Sequence, residues 1–344
     1  MGAAGDRCTG GHGADDGMTG AGEDVRVGVD LTAVVIAVRG SVPHVLTVGG
    51  ATAAPAAVAL PSGPLQPGHR SLQAGLRGWV ERQTHCRLGY VEQLYTFADR
   101  TGLLSDRPAD ARNRTISIAY LALVSIAGED PPLQEGWRPW YRFFPWEDRR
   151  QGGTAPRSVL VERLLEWARS AGQRSDKDRI GRLHLTFGLE GARWDEERAL
   201  ERYEMLYEAG LVPEAFVDRG LEPPADLGSF AGAPMFADHR RILATAIGRL
   251  RAKIKYRPVL FELMPPAFTL SALQNAAEAL AGVSLHKQNF RRLIAQQKLV
   301  EETGEMATDT GGRPAKLMRF RSEVTLERPA PGVRFAATRH GGFP

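Results

Sequence analysis

The chain has 344 residues, with 43% hydrophobic and 24% charged, the size of about two domains and the balance of a globular protein with an ample core. Its apolar stretch 31–38 is eight residues long, far short of the roughly 20 that a membrane-spanning helix needs. Cys8 and Cys86 are the only cysteines, too few for a disulfide framework or a four-cysteine zinc site.

No basic segment followed by an apolar one opens the chain, so no signal peptide is expected. The expectation is a reduced, cytoplasmic protein with no membrane partner. Charge is unevenly placed. Residues 238–321 hold 15 Lys and Arg against 7 Asp and Glu, a net +8, while the whole chain is +4. A basic C-terminal third on a mildly acidic body suits a polyanion-binding module.

In chain order, residues 1–24 are rich in Gly, Ala and Asp without apolar period and predict a disordered tail. Residues 25–38 and 44–48 read as strands, with a turn at 40–43 and a small-residue loop at 49–57. Residues 71–84 read as a helix capped by Ser71, with Leu72, Leu76, Trp79 and Val80 on one face. Residues 115–124 read as a strong strand. Strands around one helix predict an α/β or α+β domain over 25–136.

A helical insert, 137–215, is expected next. It opens on the aromatic cluster Trp137, Trp140, Tyr141, Phe143, Phe144 and Trp146, which is read as packing helices onto a neighbouring domain. Helices are predicted at 158–171 and 195–209, the latter followed by Gly210 as C-cap. Glu147 and Asp148 could form an acid–base pair, but neighbouring Arg149 and Arg150 predict a surface salt-bridge cluster. Residues 216–237, rich in Pro and Gly, read as a linker.

From residue 238, Ile242, Ala246, Leu250 and Ile254 repeat every fourth position. A short helix at 258–264 follows. Thr269 is a predicted N-cap for 270–281, Gly282 ends that helix, and Ser284 is the expected cap of a third. Strands at 299–301 and 317–320 flank a Gly-rich loop, and 326–344 is expected to be a flexible tail. Three helices and a hairpin form the order of a winged helix-turn-helix over 238–325.

In the third helix Phe290, Leu293 and Ile294 set the inner face. The outer face then carries Gln288, Arg291 and Arg292, flanked by Lys287 and Asn289, side-chain types that grip phosphates or read base edges. Arg313 and Lys316 on the wing loop 311–316 could reach a phosphate or the minor groove.

Three segments, FTLSALQNAAEAL, HKQNFRR and GGRPAKLMRF, resemble the winged helix of the Nudix-related transcriptional regulators. The N-terminal VDLTAVVIAV, YVEQLYTFADR and ISIAYLALV, and the DHRRI at 238–242, resemble segments of the same family. The likeness covers 25–126 and 234–325. It implies a Nudix-like sandwich fused to a winged helix, double-stranded operator DNA and a homodimer as partners, control of NAD-metabolism genes, and ADP-ribose or a related nucleotide as effector.

The Nudix box is degenerate. Gly63 stands in register, His69 replaces a Glu, Arg77 matches, Gly78 replaces a Glu, Glu81 matches, Arg82 replaces a Glu and Thr84 replaces the closing Gly. A Nudix hydrolase needs those carboxylates to hold a divalent metal against a pyrophosphate. Of the three positions on one helical turn that would present the ligands, 78, 81 and 82, two carboxylates are lost, and a cation is added at Arg82 whose repulsion of a unit charge 4 Å away is about 4 kcal/mol at an effective dielectric of 20. The expectation is no metal and no catalysis, with a nucleotide diphosphate met directly by Arg77 and Arg82, beside Glu81 and with Tyr95 as an aromatic wall. Two alternatives stay open: a metal-dependent pyrophosphohydrolase acting on ADP-ribose, and a ligand-free scaffold that only dimerises. No HExxH, P-loop or GxGxxG motif is present.

Overall fold

The computed structural model describes residues 26–49, 58–98, 113–126, 136–150, 155–170, 173–307, 314–327 and 332–333. The expected N-terminal tail, and Arg313 with the glycines of the wing loop, lie outside the described residues.

The first part carries β1 (Arg26–Arg39), β2 (Val42–Leu46), β3 (Val48–Gly49), β4 (Val58–Ala59), β5 (Ser62–Pro64), α1 (Leu72–Thr84), β6 (Tyr90–Phe97), β7 (Asn113–Leu123) and β8 (Trp137–Pro139). Four helices follow: α2 (Ala155–Arg169), α3 (Gln173–Phe187), α4 (Ala199–Glu208) and the short α5 (Glu214–Val217). Then come the long α6 (His239–Ile254), β9 (Phe268–Thr269), α7 (Leu270–Ala281), α8 (Lys287–Gln297), β10 (Val300–Ala307), β11 (Ala315–Phe320) and the single turn α9 (Val324–Glu327). The class is α+β.

The main sheet runs β6-β7-β1-β2-β8, with β5 also paired to β1. β1 and β7 are parallel, in register from Arg26↔Asn113 to Ile36↔Leu123, and the other pairings are antiparallel. A central strand covered on both faces explains why 31–38 is almost continuously apolar rather than alternating. Leu31, Ala33 and Val35 meet Leu76 and Val80 of α1, with Tyr120 and Ala122 beside them. Val34, Ile36 and Val38 turn the other way, into the larger core. Helix α1 forms because Ser71 accepts a hydrogen bond from the Ala74 amide at 3.1 Å and because Leu76 and Val80, four apart, share the buried face. Burying each of these two contributes about 1.5–3 kcal/mol.

The second face of the sheet, the insert, α6 and the C-terminal helices share one hydrophobic core, in which Val38, Val45, Trp140, Leu250, Leu273 and Leu280 all take part. The short strands β9, β10 and β11 form a separate three-stranded sheet in the order β10-β11-β9. With α7 and α8 this sheet makes a winged helix.

Several expectations are corrected. Helix α3 has no predicted counterpart; its sequence QRSDKDRIGRLHLTF is mostly polar, and its buried apolar anchors, Leu183 and Phe187, lie near its end. Helix α4 begins at Ala199, because residues 195–198 form a turn in which the Asp195 carboxylate accepts from the Glu197 amide at 3.0 Å. The stretch 216–237, read as a linker, packs against the rest of the chain. Phe230, Ala231 and Met235 are buried, and the Phe236 amide donates to the Val58 carbonyl at 3.0 Å. Its Pro and Gly mark turns in a packed path. In the expected tail, α9 reaches Glu327, and Val333 is buried with its amide on the Ile254 carbonyl at 2.7 Å.

Candidate nucleic-acid interface and ligand cavity

Helix α7 starts where the Thr269 hydroxyl accepts from the Ala272 amide at 3.1 Å. It ends at Gly282, whose φ of 71° is left-handed, a region that favours glycine. A Cβ at Gly282 would also collide with the Glu147 carbonyl oxygen and crowd the Tyr141 hydroxyl. The turn to α8 is tied down from both sides. The Leu285 amide donates to the Glu278 carboxylate at 2.9 Å, and the Gln274 side chain donates to the Leu285 carbonyl at 3.0 Å. The Arg149 amide donates to the Gly282 carbonyl at 2.7 Å, and the Ser284 hydroxyl to the Arg150 carbonyl at 3.1 Å. Ser284 is therefore not the expected cap; His286 occupies that position, and its side chain makes no capping bond.

On α8, Phe290 and Ile294 are buried, while Gln288, Arg291 and Arg292, flanked by Lys287 and Asn289, are exposed. Arg292 touches the Asn289 side chain at 3.5 Å. The wing is anchored by Phe320, which stacks on Phe261 with ring centroids 4.4 Å apart. Lys316 is exposed but pairs with Glu302 on the adjacent strand, at 2.8 and 2.9 Å. Such an exposed pair contributes at most about 1 kcal/mol and yields readily to a phosphate.

The degenerate box folds as follows. Gly63 lies under the Trp79 ring, with no room for a Cβ, and the indole N–H donates to the Pro64 carbonyl at 3.1 Å. Arg77 reaches the other way, donating to the carbonyls of Leu88 and Gly89, so it closes the 85–89 loop. Arg77, expected to meet a diphosphate, does not line the cavity described next. His69, Gly78, Glu81 and Arg82 do come together, with Ala74 and His85, around an open cavity of about 550 Å³. His85, missed in the sequence, arrives because it ends α1 in a left-handed conformation. The Arg82 guanidinium stacks 4.1 Å from the Trp79 ring centre, and Glu81 pairs with Arg87 at 3.3 Å. Tyr95 is 60% exposed on β6, edge-on to Phe97, and does not line this cavity. The one carboxylate here is exposed and paired. Among the described residues no cluster of three or more His, Cys, Asp or Glu is placed to hold a metal ion. A catalytic divalent ion does not fit this residue set.

The aromatic stretch packs as expected: Trp140, Phe143, Phe144 and Trp146 are buried. Glu147 is the surprise. It is fully buried, not in a surface cluster, and sits between Arg202 of α4, at 2.9 Å, and Arg251 of α6. Burial pushes its carboxyl up, but the two guanidiniums more than offset this and hold it below the ordinary value. Arg251 also donates to the Leu280 carbonyl of α7 at 2.8 Å. Asp148 pairs with Arg150 at 2.7 Å. Arg240, equally buried, pairs with Glu214 at 3.0 Å. Among the described residues, no helix is long and apolar enough to cross a membrane.

Comparison with known proteins agrees on the C-terminal part. Residues 260–320 match the family described as the NrtR DNA-binding winged helix domain. Over 83 residues the chain is 43% identical to the "ADPR responsive transcriptional repressor NtrR" of Acinetobacter baylyi, covering 24% of this chain and 33% of that protein. The chain thus matches about a third of the length of this curated relative. Among solved structures, Shewanella oneidensis NrtR aligns with a TM-score of 0.49 at 18% identity, over 86% of this chain and 95% of that one. The same protein complexed with a 27mer DNA aligns with a TM-score of 0.48 at 19% identity, over 87% and 95%.

Proposed function

We propose that this chain is a DNA-binding transcriptional regulator that answers to a nucleotide diphosphate. The observation that carries the reading is α8. Five polar or cationic side chains, Lys287, Gln288, Asn289, Arg291 and Arg292, stand exposed on a helix buried through Phe290 and Ile294, inside a segment that matches a DNA-binding winged helix. A recognition helix of this kind enters the major groove, its wing lying along the backbone. The chain acts as a homodimer in the cytoplasm on a palindromic operator.

The effector is ADP-ribose or a close relative, in keeping with the printed name of the Acinetobacter relative. Its site is the cavity of His69, Gly78, Glu81, Arg82 and His85, where Arg82 meets a phosphate directly and no metal is required. The sheet domain is not a hydrolase, since the carboxylates that would hold the metal are missing. Effector binding shifts the population toward a dimer whose recognition helices no longer match the half-site spacing.

The test is fluorescence anisotropy with duplex DNA from upstream of the chain's own gene against a scrambled duplex. A clear preference for the upstream duplex supports the reading, and equal affinity for both contradicts it.

A further inference from the structure

The β1–β2 turn brings the sheet domain to the winged helix. Arg39 at the end of β1 lines a groove of about 970 Å³ together with Ser271 and Asn275 of α7, Lys287 and Arg291 of α8, and Lys316 of β11. Glu302 is the one carboxylate among the described lining residues, and Lys316 already pairs with it. Arg39, Lys287 and Arg291 have no acidic partner among the described residues, whereas the buried guanidiniums of Arg202, Arg240 and Arg251 are each paired. Cations from two parts of the chain, without an acidic partner among the described residues, thus converge on one open groove, and this suits an extended anion better than a small one.

The turn that carries Arg39 is held in register with α8. The Arg150 guanidinium donates to the Ser41 carbonyl, and the Arg150 carbonyl accepts from Ser284, two residues before the start of α8's cap. In the other direction, β1 pairs through Leu31 with Gly63 of the degenerate box. One strand therefore runs from the ligand-cavity side of the sheet to the groove, a span of roughly 26 Å at about 3.3 Å per residue.

We propose that Arg39 contacts a backbone phosphate of the bound duplex, so that the sheet domain itself forms part of the DNA-binding surface. The proposal rests on the DNA-binding reading above. A phosphate contact adds affinity and salt dependence without adding sequence preference.

The test compares full-length wild type with Arg39→Gln, Arg39→Lys and Arg291→Ala, using a fluorescein-labelled upstream duplex and a scrambled one across about 50 to 200 mM salt. Arg219→Gln, an exposed change outside the groove, controls for net charge. The expected result for Arg39→Gln is a roughly five- to tenfold weaker affinity for both duplexes and a salt slope smaller by about one, with Arg39→Lys near wild type. Wild-type affinity and slope in Arg39→Gln, alongside a loss in Arg291→Ala, would overturn the inference and leave the DNA-binding reading standing. An equal loss in Arg219→Gln would also overturn it, as a net-charge effect. Wild type that binds neither duplex would overturn both.

Discussion

Glu147 and Arg251, 104 positions apart in the chain, form a completely buried ion pair where the aromatic strap meets the helix leading into the winged helix. Arg202 closes the other side of the carboxylate, and the Leu280 carbonyl takes a second donor of Arg251. The aromatic stretch, α4 and α6 are thereby joined at one carboxylate, and α7 is tied to them through Arg251. Removing one partner of a buried pair leaves an uncompensated charge. Glu147→Gln strands two guanidiniums and is expected to lower unfolding free energy by about 3–5 kcal/mol, read by urea denaturation. A loss under about 1 kcal/mol, the range of an exposed pair, would show that the node does not hold the seam.

Gly282 separates α7 from α8 at a φ of 71°. Gly282→Ala adds left-handed strain of about 1–2 kcal/mol and forces the new Cβ onto the Glu147 carbonyl. Both stability and DNA affinity are expected to fall, since the displaced turn carries α8. An unchanged melting temperature with unchanged DNA binding would contradict this.

His239 is buried and its ring accepts from the Leu60 amide at 2.9 Å. Burial pushes its pKa down from 6.5 to about 4. The unfolded chain therefore binds a proton that the folded chain refuses between these values. This contribution to stability is complete above pH 6.5 and is lost as pH falls toward 4, by up to about 3 kcal/mol. His239→Gln keeps an acceptor and does not titrate, so its stability curve is expected to be flatter than wild type over that window. Parallel curves would contradict the assignment.

Arg291→Ala and Arg292→Ala are each expected to weaken operator binding by about 1–3 kcal/mol where the side chain reads a base, and to relax preference at that base pair. Anisotropy against single-base operator variants checks this. No loss in either variant would remove α8 from the interface.

The winged helix was the most legible part of the sequence because its signals are local. Thr269 caps, Leu273, Ala277 and Leu280 repeat on one face, and Phe290 with Ile294 fixes which side of α8 is outward. The apolar run of β1 was equally plain. What could not be read depends on partners far along the chain. Glu147, Arg202, Arg240 and Arg251 look like surface charges until the fold pairs them in the interior. Arg77 fits a phosphate role by type alone, yet its guanidinium is spent on the Leu88 and Gly89 carbonyls. His85 reaches the cavity beside α1 only through the left-handed end of that helix.

The central claim is tested most directly by titrating the labelled upstream duplex with the protein, with and without ADP-ribose, in Mg²⁺ and in EDTA, and recovering the nucleotide afterwards. The account predicts that ADP-ribose changes DNA affinity equally in both buffers and is recovered intact. Nucleotide consumed only in Mg²⁺, with no sequence-selective DNA binding, would contradict it and make the sheet domain an enzyme.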